Sequence, residues 1–428
     1  MNKDKKICIV GLGYVGLPLA YLCIKKGYKV TGYDIDDKKI SIINEGKNPI
    51  KDQMIDERYS KYYPKLKATS NPSIIKESDI IVVCVPTPVD EKNNPDLKPL
   101  EDATVTIGKN LSREKLVIIE STIYPGVMED IVKPILERES GLTAGEDFYL
   151  SHCPERIDPG NKNWDVETIP RVFGSFSEKG AVETERFYRS IIKSDVKKMS
   201  SVRVAEATKI VENTFRDVNI AFVNELAKCF ERLDIDVVET IQGAATKPFA
   251  FLAHYPGCGV GGHCIPVDPY YLIDKGKKAG FEHEFLSLAR SINNSMPKHT
   301  VFRCIEGLNE IKKSVRGTKI GILGLTYKRD IDDIRNSPSF EIIKELKKLG
   351  AELFIFDPYY TRMNTFNSLN MVLKNVECII IVTDHKEFRE LDYNVFKENN
   401  IKVIIDGRNM LDKNKIREMG IIYKGIGR

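Results

Sequence analysis

Over the first 150 residues, short apolar, β-branched runs alternate with amphipathic stretches: Lys6 to Val10, Lys29 to Tyr33, Ile80 to Val85, Leu116 to Glu120 and Phe148 to His152. Strands separated by helices predict a parallel, doubly wound sheet. The texture changes near Val202. From there to Leu233, Val204, Ala207, Thr208, Val211, Phe215, Val218 and Phe222 recur at spacings of three and four, with no Pro or Gly between them, which predicts one long helix. Helical patterning continues to about Met296, broken by the glycine-dense segment Pro256 to Pro269, and Pro297 is expected to mark a joint. Strand and helix then alternate again through Thr318 to Leu323, Glu352 to Phe356, Cys378 to Val382 and Lys402 to Ile405, a second and smaller α/β domain. It is not a sequence copy of the first, since Gly321 and Gly324 lack the full glycine spacing found there. Short-period repeats and low-complexity segments are absent.

Composition narrows the partners. In 428 residues, Lys and Arg total 65 against 61 for Asp and Glu, a net charge of +4, so nothing calls for nucleic acid or a membrane surface. The start is basic and then apolar, but glycines interrupt it, and no apolar stretch of about 20 residues occurs. A soluble, cytoplasmic protein is expected. Nine cysteines, with Cys8, Cys84 and Cys378 inside apolar runs, argue against a disulfide framework.

The first candidate chemistry is a glycine turn. Gly11, Gly13 and Gly16 follow the first strand directly and open a helix running to about Lys26. Gly11 permits the tight turn, Gly13 lets the backbone approach a pyrophosphate, and Gly16 lets helix and strand pack. The second strand ends at Asp34, 18 residues past Gly16, where a carboxylate can bind both ribose hydroxyls and repel a 2′-phosphate; NAD is expected over NADP. Thr87 and Thr122 stand at two further strand ends, where open α/β sheets bind ligands and where threonine also forms ordinary turns.

The second is a thiol. Pro256-Gly-Cys-Gly-Val-Gly-Gly-His-Cys264 carries a backbone bare enough to press on a ligand and to present Cys264, a suitable nucleophile for an aldehyde carbon. Asp268, four residues on, could act as a base toward water or the thiol. Cys258, His263, Cys264 and Asp268 read alternatively as zinc ligands, but the adjacent His-Cys pair converges poorly on one ion and no Cys-x-x-Cys accompanies it, so no metal is expected. A glycine turn with an inert cysteine is the plainer alternative. Glu206, Lys209, Asn213 and Arg216 share one face of the long helix. They read either as a solvated stripe or, with Thr208, Val211 and Phe215 beside them facing the core, as polar groups lining a crevice. Lys209 there could stabilise an alkoxide or accept the alcohol proton.

These motifs, with Pro86-Thr87-Pro88, Glu120-Ser-Thr122, Cys153-Pro-Glu-Arg156, Thr326-Tyr-Lys328 and Asp406-Gly-Arg408, stand in the order found in UDP-glucose/GDP-mannose dehydrogenases, which the whole chain resembles. The resemblance implies two Rossmann-like parallel-sheet domains joined by a central helical domain with one long helix. The expected boundaries are 1–195 for NAD, 196–314 for the helices and the cysteine, and 315–428 for the UDP-sugar. The active site is expected in the cleft between domains, with two NAD consumed per C6 alcohol oxidised to the carboxylate. By resemblance, Cys264 is the catalytic thiol, Lys209 and Asn213 hold the alkoxide and a water, Glu155 is the site's acidic residue, and Thr122 with Asp268 orients water. Tyr14, Val15, Asp34, Thr87, Thr122 and Arg335 fall on cofactor positions. Arg156, Ile157, Arg216, Gly261, Tyr327, Lys328 and Arg408, with Lys209 and Asn213, fall on sugar-nucleotide positions; the cations among them suit a diphosphate.

Relatives acting on UDP-glucose carry Ser and Lys where this chain has His263 and Val267. The surrounding run instead resembles the branch oxidising UDP-N-acetylhexosamines. Lys247-Pro-Phe is similar to the N-acetylglucosamine enzymes, whereas His152-Cys-Pro-Glu-Arg156 is similar to the N-acetylmannosamine group. UDP-GlcNAc is the expected substrate, with UDP-ManNAc or UDP-GalNAc as alternatives. A single-step hydroxyacid dehydrogenase shares the plan but leaves the Cys264 motif unexplained, and a non-catalytic NAD-binding regulator needs neither Cys264 nor Lys209. The length of the long helix and its apolar side predict a homodimer with its axis near Ala221 to Cys229.

Overall fold

The computed structural model describes residues 3–50, 53–90, 94–157 and 163–428. The chain divides into two compact units, Met1–Glu212 with Tyr270–Phe281, and Asn213–Pro269 with Glu282–Arg428. Among the described residues no helix is long and apolar enough to cross a membrane.

The first unit is built on strands β1 (Lys6–Val10), β2 (Lys29–Tyr33), β3 (Lys67–Thr69), β4 (Ile80–Val83), β5 (Leu116–Ile119), β6 (Tyr149–His152), β7 (Arg171–Ser175) and β8 (Val196–Lys198), in the order β3-β2-β1-β4-β5-β6-β7-β8. Both faces are covered, which is why these strands read as nearly continuous apolar runs. Ile7 and Ile9 enter one core with Leu17, Leu19 and Tyr21, while Cys8 and Val10 enter the other with Ile81 and Val83. The sheet is not parallel throughout: β7 pairs antiparallel with β6, and β8 follows β7. The expectation missed β3, β7 and β8 because two of them are three residues long and lysine-bearing, and β7 opens on a charged residue.

The second unit holds β9 (Lys319–Leu323), β10 (Glu352–Phe356), β11 (Cys378–Ile381), β12 (Val403–Asp406) and β13 (Ile422–Gly425), all parallel, in the order β10-β9-β11-β12-β13. Its first turn repeats that of the first unit although the glycine spacing does not. The Gly11 N–H donates to Tyr33 O at 2.8 Å and that of Gly324 to Phe356 O at 2.9 Å; Leu12 N–H meets Asp34 at 2.7 Å, and Leu325 N–H meets Asp357 at 2.6 Å. In the second copy, however, the carboxylate is closed off. Asp357 also accepts from the N–H groups of Thr326, Tyr359 and Tyr360 and from buried His385, whose ring stacks on Tyr359. Because His385 Nδ1 accepts the Asp330 N–H at 2.9 Å, its Nε2 carries the proton given to Asp357.

The long helix forms over Val202–Leu233; of the two readings of its polar stripe the buried one holds for Glu206, Lys209 and Asn213 but not for Arg216, while Val211 and Phe215, expected to face the core beside it, lie outward. Glu206, Lys209, Asn213, Asp217 and Asn224 are buried, while Val204, Val211, Phe215 and Phe222 are exposed, Val211 by 59 % and Phe222 by 53 %. Buried polar partners outweigh the apolar periodicity that suggested the opposite orientation. Pro297 also fails to end a helix: Glu284–Glu310 is continuous through it. Pro297 is buried and packs against Gly259, so tertiary contact outweighs the lost backbone bond.

Gly324 has φ +94°, and a Cβ there would lie 2.5 Å from Thr383 Cβ and 2.8 Å from its backbone nitrogen, whereas Gly141, at φ +69°, has open space. Gly141→Ala should therefore cost about 1 kcal/mol, the left-handed penalty alone, and Gly324→Ala about 3 kcal/mol or more. Urea denaturation of the two variants should separate them; equal costs would mean that Thr383, just past β11, yields freely.

Candidate active site

In the first unit, the turn after β1 forms a cradle. Gly11 has φ +89° and would press a Cβ to 2.9 Å from Cys84 O; a Cβ on Gly16 would lie 2.0 Å from Gly11 O. Gly13 differs, because a Cβ there meets nothing within 4 Å. Its bareness serves no contact within the protein and leaves room for a bound group, as a pyrophosphate at the start of the helix Gly16–Lys25 requires. Tyr14 and Val15, also in this turn, are half-buried.

Asp34 is buried, which raises its pKa, but the Lys39 ammonium at 2.9 Å and the N–H groups of Leu12 and Asp36 more than offset this and hold it below the usual carboxylate range. Lys39 was not singled out from the sequence, since its place five residues beyond the acid has no motif. It sets a cation beside the expected ribose position. At the next crevice positions, Thr87 Oγ1 donates to Thr122 O at 2.6 Å and Ser121 Oγ to Val85 O at 2.7 Å, stitching the ends of β4 and β5 together. Tyr271 donates to the carbonyls of Thr87 and Pro88.

The segment after Thr122 is tied to the long helix by Glu206, whose carboxylate accepts from Gly126 N–H at 2.7 Å and Met128 N–H at 2.9 Å. Burial raises Glu206 to about 7 despite those two bonds. Lys209, one turn on, is also buried. Arg156 pairs with Glu212 and donates to Pro170 O at 3.0 Å, and Ile157 donates its N–H to Glu155 at 2.6 Å. Glu155 is itself buried: burial pushes its pKa up, and the Arg171 guanidinium at 2.6 Å more than reverses this.

In the second unit, Cys264 O accepts from Asp268 N–H at 2.8 Å, the spacing of a helical bond, so the cysteine sits at the turn leading into the helix Asp268–Lys278. That end of a helix favours a thiolate. Cys264 is half-buried, whereas Cys8, Cys23, Cys84, Cys153, Cys258, Cys304 and Cys378 are buried. Asn213 Nδ2 donates to Asp268 at 2.5 Å, joining two residues that the sequence placed in different roles. The glycine loop rests on the segment after β9: Gly262 N–H donates to Arg335 O and Asn336 Nδ2 to Gly262 O, both at 2.9 Å, and a Cβ on Gly261 would lie 2.5 Å from Tyr327 Cβ. Arg335 is bound bidentately by Asp333. Arg408 donates to Val382 O at 2.9 Å and Tyr327 O at 3.1 Å. Gly261, Tyr327, Arg335 and Arg408 thus gather round one loop, with half-buried Lys328 next in sequence, while Arg216 lies on the exposed side of the long helix. Asn336 and Asn224, which accepts from Gly257 N–H at 3.0 Å, hold this loop and were missed because each acts on a backbone distant in sequence. Cys258 is packed against Gly407, and no metal-binding group of three His, Cys, Asp or Glu occurs among the described residues.

The fold and the cradle define a dinucleotide-dependent dehydrogenase. Family models match the chain throughout: the NAD binding domain of the UDP-glucose/GDP-mannose dehydrogenase family over residues 5–192, its central domain over 203–295 and its UDP binding domain over 321–413. The chain belongs to the UDP-glucose/GDP-mannose dehydrogenase family, and NAD is its cofactor. It is 39 % identical over 426 residues to a UDP-N-acetyl-D-mannosamine dehydrogenase of Pyrococcus horikoshii, covering 99 % of both chains. It is 36 % identical over 421 residues to a UDP-N-acetyl-D-glucosamine 6-dehydrogenase of Pseudomonas aeruginosa, covering 96 % of this chain and 99 % of that one. A solved UDP-D-ManNAc dehydrogenase from Pyrococcus horikoshii superposes with a TM-score of 0.92 at 38 % identity over 99 % of each chain.

The Lys39–Asp34 pair leads to a cofactor prediction. Asp34→Ser removes the repelling charge and frees Lys39, so kcat/KM with NADP should rise by about tenfold or more, the scale of one charge-assisted contact. Adding Lys39→Ala should erase that gain. If it does not, the lysine plays no part in reading the ribose.

Proposed function

We propose that this enzyme oxidises the C6 hydroxyl of a UDP-N-acetylhexosamine to the carboxylate in two NAD-dependent steps, with UDP-GlcNAc as its preferred substrate. The observation that carries the reading is the half-buried Cys264 at the start of a helix, behind a glycine loop, with the Asn213–Asp268 pair in the same unit. NAD, held by the turn Gly11 to Gly16 and by Asp34, Thr87 and Thr122, supplies the hydride acceptor for both oxidations. Lys209 takes the hydroxyl proton as the alcohol becomes an aldehyde. The Cys264 thiolate adds to the aldehyde carbon to give a thiohemiacetal, whose oxidation leaves a thioester. Water oriented by Asp268, Asn213 and Thr122 adds to the thioester carbon and releases the carboxylate and the thiol. Glu155 keeps the acidic role that the family resemblance gives it. Lys328, Arg408, Arg335 and Arg156 supply positive charge for the two diphosphates.

The preference for the gluco epimer rests on Lys247-Pro-Phe; Lys247 lies 4.8 Å over the Phe249 ring. The relatives carry both names, mannosamine dehydrogenase at 39 % identity and glucosamine 6-dehydrogenase at 36 %, with the mannosamine name the more frequent. His152, the feature shared with the mannosamine group, is fully buried, donates its Nδ1–H to Ile119 O at 2.8 Å and is held down to about 3 by burial, so it serves as a neutral core residue. Its resemblance therefore concerns packing, which favours giving weight to residue 247 instead.

Two NADH per sugar should form from UDP-GlcNAc, faster than from UDP-ManNAc, UDP-GalNAc or UDP-glucose. Cys264→Ser should lower carboxylate formation by about three orders of magnitude or more while NAD binding survives. One NADH per sugar, or wild-type rates in Cys264→Ser, would sink the covalent route; UDP-ManNAc winning the panel would overturn the epimer alone.

The apolar stripe of the long helix supports a homodimer. Val204, Val211, Phe215 and Phe222 are exposed on it, at the spacings of one helix face, and an isologous contact with a second copy would cover them. Light scattering should report a dimer that Phe222→Glu converts to monomer. A fully active wild-type monomer at micromolar concentration would refute this.

A further inference from the structure

Behind Glu155 lies a second carboxyl group that the proposed reaction does not use. Glu120 follows β5, is fully buried, and accepts the Tyr188 hydroxyl at 2.5 Å; its carbonyl receives the Glu155 N–H at 3.2 Å. Its carboxyl and that of Glu155 face the same guanidinium nitrogen, Nη1 of Arg171. Arg171, on β7 and fully buried, lies 2.6 Å from Glu155 and 3.7 Å from Glu120. The remaining titratable neighbours are thiols: Cys23 from the helix Gly16–Lys25, Cys84 after β4, with Sγ 3.9 Å from Glu120, and Cys153 after β6. Tyr188 comes from the helix Glu178–Ile191, and Arg171 lies 5.7 Å from its ring. Burial pushes these three thiols and the Tyr188 hydroxyl up, so at neutral pH they carry no charge.

The cluster thus contains one cation and two groups able to be anions, almost wholly shielded from water. Leaving a net charge there is costly, and two buried carboxyl groups facing one guanidinium nitrogen cannot both ionise easily. One proton shared between them makes the set neutral. Its place follows from the donors. Glu155 Oε1 receives two backbone N–H groups, of Arg156 and Ile157, each at 2.6 Å, and Oε2 receives Arg171 at 2.6 Å; all three favour the anion. Glu120 receives no backbone N–H on its side chain among the hydrogen bonds described above, and the cation is more than 1 Å further away.

We infer that Glu120 is a neutral carboxylic acid that donates its proton to Glu155, and that it is a positioning residue which keeps Glu155 ionised and aimed by Arg171. This rests on the reading of Glu155 as the acidic residue of the proposed reaction. The chemistry is a proton held in place and not passed to substrate: the O–H of Glu120 stays intact through turnover, and its loss at high pH leaves two adjacent anions facing one guanidinium. Burial, first of all, raises Glu120 to about 8, with Arg171 opposing it and Glu155 adding to it.

The test uses the full-length holoenzyme with NAD. Infrared difference spectra of wild type minus Glu120→Gln at pH 7 should show the carbonyl stretch of a neutral carboxylic acid, and in wild type this band should fade as pH rises through about 8. In parallel, kcat should fall about tenfold between pH 7 and pH 9 in wild type, as the protonated fraction does, and this alkaline limb should flatten in Glu120→Gln, which carries a neutral donor at every pH; KM for NAD should not follow. No neutral-acid band at pH 7, or a band that persists in Glu120→Gln, would overturn the assignment of the proton. An unchanged alkaline limb in the variant would overturn the positioning role. Should Glu120→Gln fail to fold, the wild-type band and its pH dependence decide the proton's place. Should wild type oxidise no UDP-sugar, the proposed reaction falls, and the band still answers where the proton resides.

Discussion

Polar groups taken out of water must find partners, and the long helix buries several of them. Four are answered by side chains or backbone groups distant in the chain. Glu206 takes the N–H groups of Gly126 and Met128, Asn213 takes Asp268, Asp217 takes Arg290 at 2.5 Å and Asn293, and Asn224 takes Asn293 and Gly257. An apolar helix face could slide or rotate against its neighbours at small cost, whereas these pairings allow one register. Within the first unit they fix the segment that follows Thr122; within the second they fix both ends of the glycine loop and the start of the helix that follows Cys264. An unpaired member would cost about 1 to 3 kcal/mol, more for an ion.

That same feature explains where sequence reading succeeds and where it stops. The extent of the helix is legible, because the absence of Gly and Pro from Val202 to Leu233 leaves little else for the segment to be. Its facing is not, because periodicity reports which residues are alike and not which side lies inward; on this helix the apolar stripe faces out. The buried strands are legible as β-branched runs, while β3 and β8, short and edged with lysine, are not. Gly11, Gly16 and Cys264 are legible because their chemistry is local in the chain. The cluster of Glu120, Arg171 and Tyr188 is not, since its members meet across as many as 68 residues and, although Glu120 opens a motif, neither Arg171 nor Tyr188 does. Pro297 shows a strong local rule losing to packing.

The two first turns, at Gly11 and Gly324, make a natural comparison of one geometry under two fates. Both bring a leucine N–H to a carboxylate at the end of the second strand. Asp34 has, besides the Asp36 N–H, the side chain of Lys39 as its partner, held among the described residues by nothing but its own rotamers and open to exchange for a ribose. Asp357 is enclosed by His385, with Tyr359 stacked on the ring, and by three further N–H groups. The first turn therefore retains a carboxylate able to exchange partners, and the second has converted the same carboxylate into an internal bolt.

Gly13 and Gly16, three positions apart in one turn, answer to different selections. Gly16 is bare because its own chain is in the way, so any side chain there is rejected as the protein folds. Gly13 is bare toward space that no part of the protein fills. A library sorted only for soluble, folded protein should drift freely at position 13 and hold position 16; one sorted for retention on an immobilised dinucleotide should hold both. The difference between the two sorted populations at a single site would then read out how much of this turn is owed to the cofactor and how much to the chain itself.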